Sequence, residues 1–228
     1  MRRRKIFAVL LSLLYIGIGV STASAISSLY DWAFYVDGAT YEFMAGNSMP
    51  VSGALDTEGL GTLTWQTSAA GSHTFIAFFD HEIDEALNTW FNEYGEAINT
   101  PDMVHSWEID EPGYVLGDIY CNVLAGSLDN INGVPEATPD DVSWAIEWDF
   151  GLSPTDVMAT ITINLSDTAP LSGFYLAQTD PDSLETIYYS STLDIQGGGP
   201  YPVPEPGTFL LLFLGLAGLT GLKKGVLS

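Results

Sequence analysis

Between Ile26 and Val203 the chain has no lysine and no arginine. All six basic residues lie at the ends: Arg2, Arg3, Arg4 and Lys5 at one, Lys223 and Lys224 at the other. The same interval holds 28 of the 29 Asp and Glu, Glu205 being the one outside it. Its carboxylates therefore have no ammonium or guanidinium partner within the domain. They must be solvated, hydrogen-bonded to backbone or bound to cations. Nucleic-acid binding is excluded, because neutralising phosphates takes Lys or Arg. Adsorption to anionic head groups is disfavoured for the same reason. The field attracts metal cations, amines and basic proteins.

Cysteine is nearly absent too. The single Cys121 allows no internal disulfide, so the fold must be held by its core. Its neighbours Ile119, Tyr120, Val123 and Leu124 predict a buried, inert thiol. A thiolate needs nearby positive charge, which this region lacks. High net charge with few aromatics reads as disorder, but here all six Trp lie inside the acidic interval. That supplies enough apolar area for one domain.

The ends carry what the interior lacks. After the four basic residues comes an apolar stretch from Ile6 to Val20, then Ala23-Ser24-Ala25. Small residues at Ala23 and Ala25 follow a positive start and a short apolar run, which is the pattern of a secretory signal peptide cut before Ile26. An uncleaved anchor is the alternative, against which the run is short, since a span takes about 20 apolar residues.

Inside, short segments with period-two alternation dominate. Val157, Ala159, Ile161, Ile163 and Leu165 alternate with Met158, Thr160, Thr162 and Asn164, and Val142, Trp144, Ile146, Trp148 and Phe150 alternate with Ser143, Ala145, Glu147 and Asp149. Both predict strands with one face in the core and one in water. Residues 73–79 are apolar on both faces and predict a central strand. Residues 30–36, 40–44, 60–66, 174–178 and 186–195 are further strands, separated by Gly, Pro, Asn, Asp and Ser clusters. One segment differs: Ile83, Leu87, Trp90, Phe91, Tyr94 and Ile98 recur at steps of three and four, predicting a helix over 82–96 that stops near Gly95. The expected fold is mainly all-β: an antiparallel β-sandwich with one short helix, flanked by a signal peptide and a C-terminal apolar helix. The expected boundaries are 1–25 signal peptide, 26–196 sandwich, 197–202 Gly/Pro linker and 203–228 tail, with a membrane-spanning helix over 208–222.

The interior offers little catalytic signal. His81-Glu82 opens like a zinc-protease helix, but the second histidine of HExxH is missing. His73, His81 and His105 are the only histidines, and they fit separate strand, turn and loop positions better than one metal site. No G-x-S-x-G elbow and no phosphate-binding Gly loop appears. Acid pairs suited to glycoside hydrolysis are unavoidable with this composition and so are no evidence of it. No catalytic residue is therefore assigned, and the domain is expected to be no enzyme. Calcium is the cofactor best matched to the composition, because it takes oxygen ligands. The candidate loops contain Asp129, Asn130 and Asn132, then Asp180 and Asp182, and also residues 80–85, none with EF-hand spacing.

The tail reads Val203-Pro204-Glu205-Pro206, then an apolar, Gly- and Leu-rich run over 208–222, then Lys223 and Lys224. As a helix the run spans about 22 Å, short of a hydrocarbon core of about 30 Å. The lysines would stay on the cytoplasmic side as stop-transfer charges. In order and position these three elements resemble a PEP-CTERM sorting signal. The resemblance implies recognition by an exosortase, a membrane cysteine transpeptidase thought to cut near Pro-Glu-Pro and pass the protein to the cell surface or to exopolysaccharide. It also implies a Gram-negative host. Residues 79–95 and 142–176 are similar to parts of uncharacterised PEP-CTERM proteins, which implies a shared β-rich module and no activity. A plain tail anchor is the alternative; a GPI signal would end in its apolar run.

Together these features predict an exported surface or matrix protein, a membrane-anchored precursor processed by signal peptidase and exosortase, associated with exopolysaccharide. A carbohydrate- or calcium-binding module and a secreted hydrolase are the competing functions. For sugar binding, exposed faces at Trp32, Trp107 or Tyr114 are the candidates.

Overall fold

The computed structural model describes residues 27–84, 89–101, 105–113 and 115–197. Among these residues, eleven strands and one α-helix follow in chain order. They are β1 (Ser27–Val36), β2 (Ala39–Glu42), β3 (Ser52–Leu55), β4 (Gly61–Thr67), β5 (Gly71–Ile83), β6 (Tyr94–Ile98), β7 (His105–Asp110), α1 (Ile119–Ala125), β8 (Ser143–Leu152), β9 (Asp156–Ser166), β10 (Tyr175–Thr179) and β11 (Thr186–Gly197). They form two sheets whose strand pairs are all antiparallel. The first runs β2-β1-β5-β8-β7 and the second β3-β4-β9-β11-β10-β6.

The sandwich core lies between the sheets. Phe34, Phe75, Ala77, Phe79, Trp144 and Ile146 of the first sheet pack against Ile161, Ile163, Leu176 and Tyr189 of the second. Two polar ties cross this core. Tyr189 donates its hydroxyl to the Ala77 carbonyl at 3.0 Å, and Trp148 Nε1 donates to Ser191 Oγ at 2.8 Å. The alternation of residues 159–165 is realised in β9, with Ala159, Ile161, Ile163 and Leu165 buried; Val157, at the strand's start, is exposed. The doubly apolar segment 73–79 is the middle of β5, the central strand of its sheet.

Four expectations need correction. The helix over 82–96 is not formed: Glu82 and Ile83 end β5, Trp90–Asn92 is a single 3₁₀ turn, and Tyr94–Ile98 is β6. Gly95, expected as a helix stop, pairs with Gln178 inside the sheet. The α-helix instead covers Ile119–Ala125, ending at Gly126 in a left-handed conformation (φ 76°) that returns its N–H to the Val123 carbonyl. Cys121, on that helix, is exposed and not buried, because α1 turns Ile119 and Val123 inward. Finally, the second face of β8 is not in water. Ala145 packs with Ala33, Ile76, Phe78, Ile119, Val123 and Leu128 in a second small core, and α1 roofs this outer face of the first sheet.

Candidate functional site

At one end of the sandwich the chain leaves β5, makes the 3₁₀ turn and enters β6. Trp90 and Phe91 on that turn are 50% and 52% exposed. Their rings meet edge to face, 5.7 Å apart at 87°. With Pro112, Val115 and Leu116 they form the apolar part of an open cleft of about 400 Å³, whose polar part is Glu111, Asp140 and Asp141.

Buried side chains hold the turn in place. Asn92 donates from Nδ2 to Asp180 Oδ1 at 3.0 Å. Glu93 is buried, accepts the Ile83 N–H at 2.8 Å through Oε1, and meets the Gln178 amide through Oε2. Its backbone carbonyl accepts the Asp140 N–H at 2.9 Å, tying the turn to the acidic loop. Burial pushes the Glu93 carboxyl up to about 9, against the opposing pull of its Gln178 and Ile83 hydrogen bonds and with help from Glu82 and Asp141. It is therefore held neutral at pH 7. Glu111, on the cleft wall, is also raised, first by desolvation and then by Asp140 and Asp110.

An exposed aromatic pair beside carboxylates can stack on an apolar ring face and accept hydrogen bonds from hydroxyl groups. Among the described residues, the cleft walls hold neither a histidine nor a cysteine, and no basic side chain.

The residues singled out for calcium fall in two loops with other work. Asp129 Oδ1 accepts the Ile131 N–H at 2.8 Å, and Asn130 Oδ1 accepts the Trp107 N–H at 3.2 Å. Asn132 accepts the Val134 N–H through Oδ1 and donates to the Gly95 carbonyl. Asp180 is fully buried and accepts from Asn92, the Asp182 N–H and the Ser183 N–H; Asp182 Oδ2 receives a longer bond from Asn92, at 3.4 Å. These oxygens serve turns. Only Asp129 joins a group of acids close enough for one ion, with Glu108 and Asp118. The other such group among the described residues is Asp80, Glu82 and Asp141, two of which fall within the 80–85 segment.

Of the candidate sugar-facing aromatics, Trp32 is in the core and Trp107 is half-buried against Phe174, 6.1 Å between ring centroids. Tyr114 lies outside the described residues. Trp90 was missed because its apolar neighbours fit a helical stripe. Each histidine has its own surroundings: His73 pairs with Asp37 at 2.8 Å, His81 is buried and donates from Nε2 to the Gly59 carbonyl, and His105 lies against Trp148 with the two rings tilted at 52°. Neither acidic group contains a histidine.

Ala23, Ala25, Val203, Pro204, Glu205, Pro206, Lys223, Lys224 and the apolar run 208–222 lie outside the described residues. Among those described, no helix is long and apolar enough to cross a membrane. The sequence of the tail decides its nature. Residues 202–224 match the PEP-CTERM protein-sorting motif. The PEP-CTERM match covers all three tail elements, from the Pro-Glu-Pro lead through the apolar run to the two lysines. It implies an exported protein processed by exosortase. No curated protein and no solved structure matches the chain, so the sandwich has no identified family beside the PEP-CTERM tail.

Proposed function

We propose that this chain is a non-enzymatic, strongly acidic protein of the cell surface or extracellular matrix of a Gram-negative bacterium, delivered there by exosortase and associated with exopolysaccharide. The observation that supports it is the sorting-motif match at 202–224. In this scheme signal peptidase cuts after Ala25, and residues 208–222 hold the precursor in the membrane with Lys223 and Lys224 on the cytoplasmic side. Exosortase then cuts near Val203-Pro204-Glu205-Pro206 and releases the sandwich. A span of about 22 Å suits such a temporary anchor better than a permanent one. The experiment is deletion of residues 204–206 in the native host. The expected result is an unprocessed precursor that stays with the membrane fraction. Unchanged processing and surface location would rule the sorting scheme out.

A second reading is favoured by the exposed Trp90 and Phe91 beside Glu111, Asp140 and Asp141: the cleft holds a sugar ring of the surrounding polysaccharide. Covering the Trp90 ring with the apolar face of a sugar removes apolar surface from water, at about 25 cal/mol per Å². Trp90→Ala is expected to weaken glycan-array binding by about tenfold or more while leaving the melting temperature within about 2 °C, because an exposed side chain contributes little to folding. Binding unaffected by Trp90→Ala would remove the cleft from consideration, and turnover of an arrayed glycan would replace this reading with a hydrolase.

A further inference from the structure

A row of polar residues crosses the outer face of the first sheet beside the small core under α1. Asp31 on β1 pairs with Asp80 on β5, which pairs with Ser143 on β8. Asp31 is fully buried and Asp80 is 1% exposed. Glu82, two residues further along β5 and on the same face, is also buried. The loop before β8 brings in Asp141, so that one oxygen each from Asp80, Glu82 and Asp141 lies within 4.8 Å of the others. Asp80 and Glu82 are withdrawn from water and Asp141 is half-buried, so carboxylates at that separation repel one another strongly unless a cation sits among them. No lysine or arginine exists anywhere between Ile26 and Val203 to serve.

The Asp80 side chain adds an independent sign. Its Oδ1 accepts a hydrogen bond from Ser143 Oγ at 3.0 Å. Its Oδ2 is enclosed by protein and accepts none. Outside this group, the buried carboxylate oxygens of the described residues are supplied with donors. Around the other acidic group, the Asn122 amide donates to both oxygens of Glu108 (3.0 and 3.1 Å) and to Asp118 (3.2 Å). Asp180 receives three donors. At Asp80 the second oxygen belongs to a buried carboxylate with two more carboxylates beside it, which is the environment of a cation ligand.

We infer that Asp80, Glu82 and Asp141 form a Ca²⁺ site. Three carboxylates offer up to six oxygens, mono- or bidentate, and Ca²⁺ takes six to eight. An all-oxygen donor set favours hard cations over zinc or copper. Asp141 also lines the Trp90 cleft, so the ion would fasten the acidic loop to the end of β5. The site does not depend on what the cleft holds, nor on the sorting scheme.

The test uses the full chain purified in detergent, stripped with chelator and dialysed at pH 7.5. Calorimetric titration with CaCl₂ is expected to show one saturable site, with MgCl₂ binding at least tenfold more weakly. At about 100 times the dissociation constant, the melting temperature should rise by about 5–10 °C. Asp141→Asn, at a half-buried loop position that leaves the core untouched, should weaken Ca²⁺ binding at least tenfold with an unchanged circular-dichroism spectrum. Asp129→Asn, in the other acidic group, should bind as the parent does. No heat and no thermal shift with CaCl₂ would overturn the site, and so would binding that survives Asp141→Asn but is lost in Asp129→Asn. Equal response to Mg²⁺ would overturn the assignment to Ca²⁺.

Discussion

Single residues in this fold are constrained mainly where two elements approach closely, and Gly95 is the clearest case. It sits in β6 with ordinary extended backbone, so no left-handed conformation requires a glycine there. What requires it is Ile109 of β7, fully buried: a Cβ at position 95 would overlap the Ile109 side chain. The Gly95 N–H also donates to the Val134 carbonyl at 2.8 Å, which limits how far β6 can retreat. Gly95→Ala is therefore expected to cost about 1–3 kcal/mol, the usual penalty for overpacking a core. Gly151→Ala is the control. A Cβ there would meet only the Gly71 carbonyl, at 3.9 Å, and should change stability by less than about 0.5 kcal/mol. Urea denaturation of the two variants checks both. Equal midpoints would show that β6 and β7 have room to separate.

Elements were unevenly legible in the sequence, for identifiable reasons. Strands buried on one or both faces, such as β5, β8 and β9, write their alternation or apolar run over many residues. The short strands β3, β6 and β7 do not, and they were missed. The stripe from Ile83 to Ile98 has helical spacing by coincidence of separate roles: Ile83 fills the core, Trp90 and Phe91 face the cleft, and Tyr94 and Ile98 belong to β6. α1 has the reverse problem. Seven residues give two turns, and its inward face is only Ile119 and Val123, too short a pattern to register as a period. The acids of the Asp80 group show the same limit: Asp80 and Glu82 are near in sequence, but Asp141 arrives from the far side of α1. Ile119 carries a prediction at this scale. It is fully buried between α1 and the first sheet, against Phe78 and Ala145 among others. Ile119→Ala should lower stability by about 2–4 kcal/mol, through lost burial and the cavity left behind. Thermal or urea unfolding measures it. A loss under about 1 kcal/mol would mean that α1 is a loosely held roof and not part of the fold's cooperative unit.

For the whole molecule, the missing basic residues set the pH response. Buried acids that cannot pair with Lys or Arg stay protonated to high pH. Desolvation raises Glu108 and Glu147 to about 7 and Glu93 to about 9, and it lifts Asp80 well above the carboxylate range. Each folded value exceeds that of an unfolded carboxyl, roughly 4. The folded state therefore holds protons that the unfolded chain releases. The stability each group adds is complete below pH 4 and is lost as pH rises through its folded value. At His73 desolvation pulls the value down, but the Asp37 and Ala69 partners together raise it, so it acts in the same sense. His81 opposes them: burial lowers it to about 4, so its contribution is present above its unfolded value of 6.5 and is lost as pH falls toward 4. Several acids outweigh one histidine. In chelator, where no divalent cation can take the place of the protons, the melting temperature should fall steadily from pH 5 to pH 9. Each group sets a limiting slope of about 1.4 kcal/mol per pH unit inside its own window. Glu93→Gln removes the carboxyl held up to about 9 and should flatten the fall most between pH 7 and pH 9, where Glu108 and Glu147 have already ionised. A melting temperature that rises from pH 5 to pH 8 in chelator would mean that these carboxylates are ionised in the folded state.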